Sequence, residues 1–221
     1  MEPAIISLGR MPPSLSLEDQ ARADLYALIA TLLLRPPDAA LLSALAAADS
    51  LHSTQPGHPL DQAWEQLILA AALMDGTVIQ DEFDALFISV GTPPVNPYGS
   101  HYLTGFMMEK PLAALRDDLR MLGLARTVGV GEPEDHLGAL CEAMRILIDG
   151  TQGAARQPAE VQKAFFIKHI APWYSRCVDD IRNADGANFY RHVATFTQAF
   201  FEVEFEAFEM EDSIDNVYEP Q

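Results

Sequence analysis

The chain of 221 residues has few basic residues, only two cysteines and no long apolar run. Lys and Arg number 14 against 32 Asp and Glu, which gives a formal net charge of −18 at pH 7. Such a charge repels phosphate backbones, so we expect no nucleic-acid binding, whereas a cationic partner is attracted. Acidity also serves solubility, and the composition leaves both interpretations open.

The scarcity of cysteine and of apolar runs excludes further classes of protein. Cys141 and Cys177 form no CxxC pair, so the sequence indicates neither a zinc site nor a disulfide framework. No stretch reaches the roughly 20 apolar residues of a membrane-spanning helix, and the N-terminal residues lack the basic and apolar regions of a secretory signal. We therefore expect a cytoplasmic protein without a membrane span.

Apolar residues recur at helical spacing along nearly the whole chain, which predicts an all-α fold. We expect a single globular bundle of about nine to eleven helices. Ser16 and Asp38 stand where N-caps would begin the first two helices, and Pro36 with Pro37 ends the first. Residues 91–105, with three prolines and three glycines, are predicted to be a loop.

The last helix contains one ambiguous stretch, FEVEFE at residues 201–206, which alternates as a strand would. On a helical wheel the apolar residues nevertheless form two stripes, which favours a helix. One stripe is Phe196, Phe200, Val203 and Ala207, and the other is Phe201, Phe205 and Phe208, whereas Glu202, Glu206 and Glu209 share the remaining, solvated face.

The chain divides into three parts on the basis of composition. Residues 1–149 form an N-terminal helical region, residues 150–158 (GTQGAARQP) a hinge, and residues 159–221 the C-terminal helices of the same domain with an acidic, frayed tail. Exchange of the C-terminal helices between two chains through the hinge would produce a homodimer.

An acid–acid–imidazole cluster lies in the stretch GEPEDHLGALCEAM at residues 131–144. Pro133 suits a first helical turn, and Glu134 and Asp135 would then lie in that turn, where the helix dipole favours acids. His136 is not explained by a helix start, since a cationic imidazole is unfavourable there. Successive residues point about 100° apart on a helix, so the cluster does not predict a metal site.

Two alternatives to a binding site remain open for this cluster. Glu134, Asp135 and His136 could serve a nucleotide-binding or hydrolytic enzyme, or the chain could be a structural assembly subunit. The motifs GxxxxGK[ST], HExxH and GxSxG are all absent, so no enzyme template fits. We expect a protein that is not an enzyme and has no cofactor. His169, in an apolar helical run, is expected to be a satisfied structural histidine.

Four segments together resemble a known family: DEFDALFISVG (81–91), PVNPYGSHYLTG (94–105), EPEDHLGALCEAM (132–144) and FFIKHIAPWYSRCVDDI (165–181). They are similar to the TorD/DmsD-type chaperones for molybdenum-cofactor oxidoreductases, relatives of the NarJ group. The resemblance implies an all-α, cytoplasmic, non-catalytic helper. Such a helper binds the twin-arginine signal peptide and the apo form of its client, and it delays export until the molybdopterin cofactor is inserted.

The resemblance also implies a client-peptide-binding site. Asp135 and His136 match the family positions implicated in peptide binding. The motif is completed by Glu132 and Pro133, and the neighbouring loop contributes Tyr98, Ser100 and Tyr102. The physical requirements agree, because a twin-arginine peptide needs carboxylates for its guanidinium groups and an apolar surface for its helix.

Overall fold

The structure is a computed structural model that describes residues 15–51, 57–89, 91–126 and 131–215. Within these residues it contains ten α-helices and no β-strand, which confirms the predicted all-α bundle. The helices are α1 (Leu17–Leu34), α2 (Ala39–Ala46), α3 (Pro59–Leu73), α4 (Gly76–Phe83), α5 (Gly99–Thr104), α6 (Lys110–Met121), α7 (Leu137–Asp149), α8 (Ala159–His169), α9 (Tyr174–Asn183) and α10 (Phe189–Asp215).

The first two helices begin at the predicted N-caps. The Ser16 side chain accepts a hydrogen bond from the Asp19 N–H at 2.9 Å, and Asp38 accepts one from the Leu41 N–H at 2.8 Å. Each such cap stabilises a helix by about 1 kcal/mol. The helix α1 ends at Leu34, before the two prolines, because proline cannot continue the hydrogen-bonding pattern.

The helix α4 passes into a π-helical turn at Asp84–Ile88. The prediction of an unbroken loop over residues 91–105 is wrong, because Gly99–Thr104 forms α5. The three prolines of this segment all precede α5, and Gly105, with φ +83°, ends it.

The position of α7 is fixed by α1, which packs along it. At Gly138 the two helices approach so closely that a Cβ atom would lie 2.8 Å from Leu34 Cγ and 3.2 Å from the Ala30 carbonyl oxygen. Only glycine fits there without movement of the neighbouring helix α1. The first turn of α7, which follows the EPEDH motif, is thereby held against α1.

The long helix α10 packs against α3 and α9 and carries the buried Glu204. Arg22 of α1 donates to both carboxylate oxygens, from Nε at 2.7 Å and from Nη2 at 2.9 Å, and the Tyr26 hydroxyl donates at 3.0 Å. A buried carboxylate needs such partners, because desolvation without them is costly. No local pattern in the sequence predicts this contact between the two ends of the chain.

Another buried acid, Glu82 of α4, caps the N-terminus of α10. Its carboxylate accepts hydrogen bonds from the backbone N–H groups of Asn188, Phe189 and Tyr190 at 2.9, 3.1 and 2.8 Å. Backbone donors at a helix N-terminus lack partners within the helix, and an anion there is also favoured by the helix dipole. Glu82 therefore anchors α10 on α4.

The ambiguous stretch at residues 201–206 lies within α10, which confirms the prediction of a helix. Phe196, Phe200, Phe201 and Phe208 are buried, whereas the predicted glutamate face is exposed. The helix extends to Asp215, and residues 216–221 of the predicted tail lie outside the described residues.

Residues 150–158 connect α7 to α8 and form backbone hydrogen bonds within the segment and with α7. The Gln157 N–H donates to the Leu147 carbonyl at 2.8 Å, and the Thr151 N–H donates to the Ala154 carbonyl at 2.8 Å. The hinge, the three-part division and the exchange of helices between two chains stay predictions.

Candidate functional site

The loop before α5 and the EPEDH motif lie side by side. The Gly99 N–H donates to the Asp135 carbonyl at 2.8 Å, and the Leu137 N–H donates to the Pro97 carbonyl at 2.8 Å. These two bonds form a short antiparallel pairing between segments that are separated by more than 30 residues. The structure thus brings together the two motifs that the sequence singled out.

The helix α7 begins one residue after His136, which is its N-cap. Its Nδ1 accepts a hydrogen bond from the Gly138 N–H at 3.0 Å. The prediction that Pro133 opens this helix, with Glu134 and Asp135 in its first turn, is therefore wrong. Capping accounts for His136, the residue that the predicted helix start left unexplained.

His136 is only 5% exposed, and its environment keeps the ring neutral. Burial lowers the pKa of His136 to about 4, although nearby Asp135 acts in the opposite direction. The ring also contacts Tyr98 edge-on, with centroids 5.0 Å apart. Because Nδ1 accepts the Gly138 hydrogen bond, the proton of the neutral ring is on Nε2. No lone pair remains for general-base chemistry.

The two glutamates of the motif already have partners. The Tyr98 hydroxyl donates to Glu132, and Arg116 donates to Glu134 Oε2 from Nε at 3.0 Å and from Nη2 at 2.8 Å. Partial burial alone would raise the pKa of Glu134, but the hydrogen bonds from Arg116, a backbone hydrogen bond and the charges of Arg116 and Arg126 together outweigh it and lower the pKa. Pro133 is buried, and its carbonyl accepts from the His136 N–H at 3.2 Å.

Asp135 differs from these acids, because its carboxylate is buried and only half satisfied. The side chain belongs to a residue that is 3% exposed, and its Oδ2 accepts hydrogen bonds from the Ser100 N–H at 2.8 Å and the Ser100 hydroxyl at 2.5 Å. Its Oδ1 accepts no hydrogen bond from any described residue. Leaving a buried acceptor unsatisfied costs about 1–3 kcal/mol.

Asp135 lines a cavity of about 100 Å³ among α5, α6, α7, α8 and Trp173, the residue before α9. The buried part of its wall includes Leu140 and Trp173, and the exposed part includes Leu103, Ala114 and Lys168. His169 also borders this space, and its Nε2 lies 2.7 Å from Asp118 Oδ2, a satisfied arrangement as the sequence predicted. Asp135 thus belongs to the wall of a space whose rim includes exposed residues.

Tyr102 lies in α5 but faces α9 instead of the EPEDH motif. Its hydroxyl donates to Asp180 Oδ2 at 2.8 Å, and its ring stacks on Trp173 with centroids 5.5 Å apart. Trp173, in turn, lies against Gly99, where a Cβ atom would come within 3.1 Å of the indole nitrogen. The sequence reasoning missed Trp173 as a wall residue, and its only signal was its place in the segment 165–181 of the resemblance.

A larger groove of about 290 Å³ lies along another side of the EPEDH motif. Its apolar lining includes Leu34, Leu119, Leu124, Ala143 and Ile146, and its acids are Glu132, Glu134 and Glu142. Glu142 forms an ion pair with Arg145 at 2.7 Å. Glu134 likewise forms an ion pair with Arg116, at 2.8 Å. The acids of this groove are thus largely compensated, unlike Asp135.

The described residues contain no group of three or more His, Cys, Asp or Glu side chains that could hold a metal ion. In the same part of the chain, no helix is both long and apolar enough to cross a bilayer.

Residues 55–179 match the family model described as nitrate reductase delta subunit, and this match covers more than half of the chain. The chain belongs to this family. The match confirms the resemblance to the NarJ group on the segments that carried it.

Two relatives extend the comparison. The Tat proofreading chaperone DmsD of Haemophilus influenzae is 28% identical over 121 residues, which are 54% of this chain and 56% of the relative. The chaperone protein TorD of Shewanella loihica is 25% identical over 206 residues, 86% of this chain and 93% of the relative. The chain thus matches only a little over half the length of the DmsD relative. Both relatives are named as chaperones and not as enzymes, which confirms the predicted non-enzymatic family.

A solved structure shares the fold. It is described as a redox enzyme maturation protein from Archaeoglobus fulgidus, is 20% identical, and superposes with a TM-score of 0.55 over 87% of this chain and 98% of that chain. At this identity the likeness concerns the helical architecture alone.

Proposed function

We propose that the protein is a maturation chaperone for a molybdenum-cofactor oxidoreductase. In this proposal it works in the cytoplasm, binds the twin-arginine signal peptide and the apo form of the client, and delays export until the cofactor is inserted. Membership in the nitrate reductase delta subunit family and similarity to DmsD and TorD support this role.

The observation that carries the proposal is the half-satisfied carboxylate of Asp135. Its Oδ1 is buried without a hydrogen-bond partner among the described residues, and Asp135 borders a cavity with exposed wall residues. A guanidinium group would supply charge-assisted hydrogen bonds, which are about twice as strong as neutral ones. A twin-arginine peptide provides two such groups, and the net charge of −18 attracts it.

The other predicted site residues would hold Asp135 in place and shape its surroundings. Ser100 fixes one carboxylate oxygen with two hydrogen bonds, so the other oxygen has a defined position. Tyr98 and His136 form the paired segment that aligns the two motifs, with Glu132 and Pro133 in the turn before it. Tyr102 stacks on Trp173, which belongs to the cavity wall.

The geometry does not favour the alternative of a hydrolase that uses Glu134, Asp135 and His136. Glu134 is paired with Arg116, and the accepting nitrogen of His136 caps α7. A general base needs an available lone pair within reach of a substrate proton. His136 offers none, because Nδ1 accepts from the Gly138 N–H and Nε2 carries the proton, and Glu134 is held in an ion pair with Arg116.

The test compares two fluorescent signal peptides that differ only at the twin position, Arg-Arg against Lys-Lys. Binding to the purified full chain is measured by fluorescence polarisation at low and moderate salt. We expect the arginine peptide to bind at least tenfold more tightly, since the planar guanidinium forms paired bonds that an ammonium cannot. Equal affinity for the two peptides, or no binding of either, would contradict the proposal.

A further inference from the structure

The C-terminal end of α5 and the turn that follows it expose four large apolar side chains within six residues. They are Leu103 (41% exposed), Phe106 (70%), Met107 (39%) and Met108 (71%), and we refer to them together as the apolar turn. Apolar side chains exposed singly are common on soluble proteins, whereas a cluster of them marks an interaction surface. Nothing in the packing of the helices described above requires Phe106 or Met108 to face solvent.

The backbone holds the apolar turn in this exposed arrangement. Met108 has φ +58°, the only positive φ of a non-glycine residue in the described part of the chain. Such a conformation costs about 1 kcal/mol or more and persists only where the surroundings fix it. The Met108 N–H donates to the Ser100 hydroxyl at 3.1 Å, and the Phe106 N–H donates to Thr104 Oγ1 at 3.2 Å.

Ser100 connects the apolar turn directly to the carboxylate of Asp135. Its hydroxyl accepts from the Met108 N–H and donates to Asp135 Oδ2 at 2.5 Å. Leu103, moreover, belongs both to the apolar turn and to the exposed wall of the Asp135 cavity. The cavity and the apolar turn therefore form one continuous surface, with an acid inside and apolar side chains outside.

We infer that the apolar turn binds the apolar segment that follows the arginines of the client signal peptide. This inference rests on the proposed function, in which an arginine reaches Asp135. The occupant must combine a basic group with a neighbouring apolar stretch, because the surface combines a buried carboxylate with exposed Phe and Met side chains. Methionine adapts its shape to different apolar partners, which suits peptides that share composition more than sequence.

The test uses a double variant of the apolar turn, Phe106→Ser with Met108→Asn. Asparagine tolerates the left-handed backbone of position 108, so the fold is expected to be retained. The matched control is Leu73→Ser with Met210→Asn, which removes two apolar side chains that are 76% and 62% exposed outside the apolar turn. Circular dichroism and thermal melting establish that both variants fold.

Each variant is titrated with the complete signal peptide and with a short peptide that ends after the arginines. We expect the apolar-turn variant to bind the complete peptide about tenfold to a hundredfold more weakly, as burial of two apolar side chains would imply, and to bind the short peptide as the wild type does. The control variant is expected to bind both peptides normally.

Four results would overturn the inference. Unchanged binding of the complete peptide by the apolar-turn variant, with weaker binding by Asp135→Asn, would leave the proposed function intact and reject the apolar turn. Weaker binding by Leu124→Ser instead would place the apolar segment in the larger groove. Concentration-dependent self-association that the apolar-turn variant abolishes would assign this surface to a second copy of the chain. If the wild type bound neither peptide, the proposed function would fail as well.

Discussion

Glu204 and Asp135 are buried almost equally, at 2% and 3% exposure, yet their surroundings differ. Both oxygens of Glu204 receive hydrogen bonds from Arg22, and the Tyr26 hydroxyl adds a third donor. Only one oxygen of Asp135 is bonded, through Ser100. Burial of an acid alone therefore does not distinguish a structural role from a binding role, and the two acids differ in whether both carboxylate oxygens have a partner.

The comparison first predicts a large loss of stability at Glu204. Glu204→Gln leaves the Arg22 guanidinium, whose side chain is 19% exposed, without its charge partner, so we expect the free energy of unfolding to fall by about 3 kcal/mol. Urea unfolding followed by circular dichroism measures this change. Glu202→Gln, two positions away and exposed, should change it by less than about 0.5 kcal/mol. Equal losses of unfolding free energy for Glu204→Gln and Glu202→Gln would contradict a structural role for the buried Glu204.

Asp135 should show the opposite balance between stability and binding. In Asp135→Asn the amide oxygen can still accept from Ser100, so we expect the free energy of unfolding to change by less than about 1 kcal/mol. The affinity for the twin-arginine peptide should fall about thirtyfold, or about 2 kcal/mol, because the charge is lost. Glu142→Gln, whose acid pairs with Arg145 in the larger groove, is the matched control and should bind normally. A stability loss as large as that of Glu204→Gln would make Asp135 a structural residue.

The buried imidazole at the site predicts a dependence of stability on pH. The pKa of His136 is lowered to about 4, whereas the unfolded chain takes up a proton near 6.5. The stability that the neutral ring contributes is therefore complete above pH 6.5 and declines as the pH falls toward 4. Between pH 7 and pH 5 this group alone should lower the free energy of unfolding by about 2 kcal/mol.

The variant His136→Asn isolates that contribution, since asparagine is a good N-cap that does not titrate. Urea unfolding at pH 7 and pH 5 should show a smaller loss for the variant than for the wild type. Identical losses in both proteins would mean that His136 is not held neutral in the folded state.

The smallest effect is expected at Ser100. Ser100→Ala removes the hydroxyl that joins Asp135 to Met108 but keeps the backbone N–H bond to Asp135. We expect a loss of about 1 kcal/mol in the free energy of unfolding and a severalfold weaker affinity for the peptide. Thr195→Ala, which removes an exposed hydroxyl bond on α10, should leave affinity for the peptide unchanged. Normal binding by Ser100→Ala would show that the position of Asp135 does not depend on this hydroxyl.

Local chemistry explains which parts of the fold could be predicted. Ser16 and Asp38 act within three residues along the chain, and the phenylalanine stripes of α10 have a period that the sequence displays directly. Glu82 and Glu204 could not be found in this way. Their partners lie more than 100 residues away, and nothing in the neighbouring sequence indicates which helices meet.

The sequence identifies both segments of the candidate site but not their geometry. The resemblance named both the loop and the EPEDH motif, which the backbone pairing at Tyr98 and His136 brings together. The start of α7 was misplaced because proline is common in a first helical turn, whereas a histidine cap has a weaker signal. The contrast between the paired Glu134 and the half-satisfied Asp135 depends on packing against α5 and α6, which the sequence does not display.

A double-mutant cycle between Asp135 and the arginines of the signal peptide tests the central claim most directly. Asp135→Asn is combined with replacement of each arginine by citrulline, which keeps the shape of the side chain and removes its charge, and all four affinities are measured at one salt concentration. We expect one of the two arginines to couple to Asp135 by at least about tenfold, or 1.4 kcal/mol. Additive losses for both arginines would contradict a direct contact and would place the binding site elsewhere.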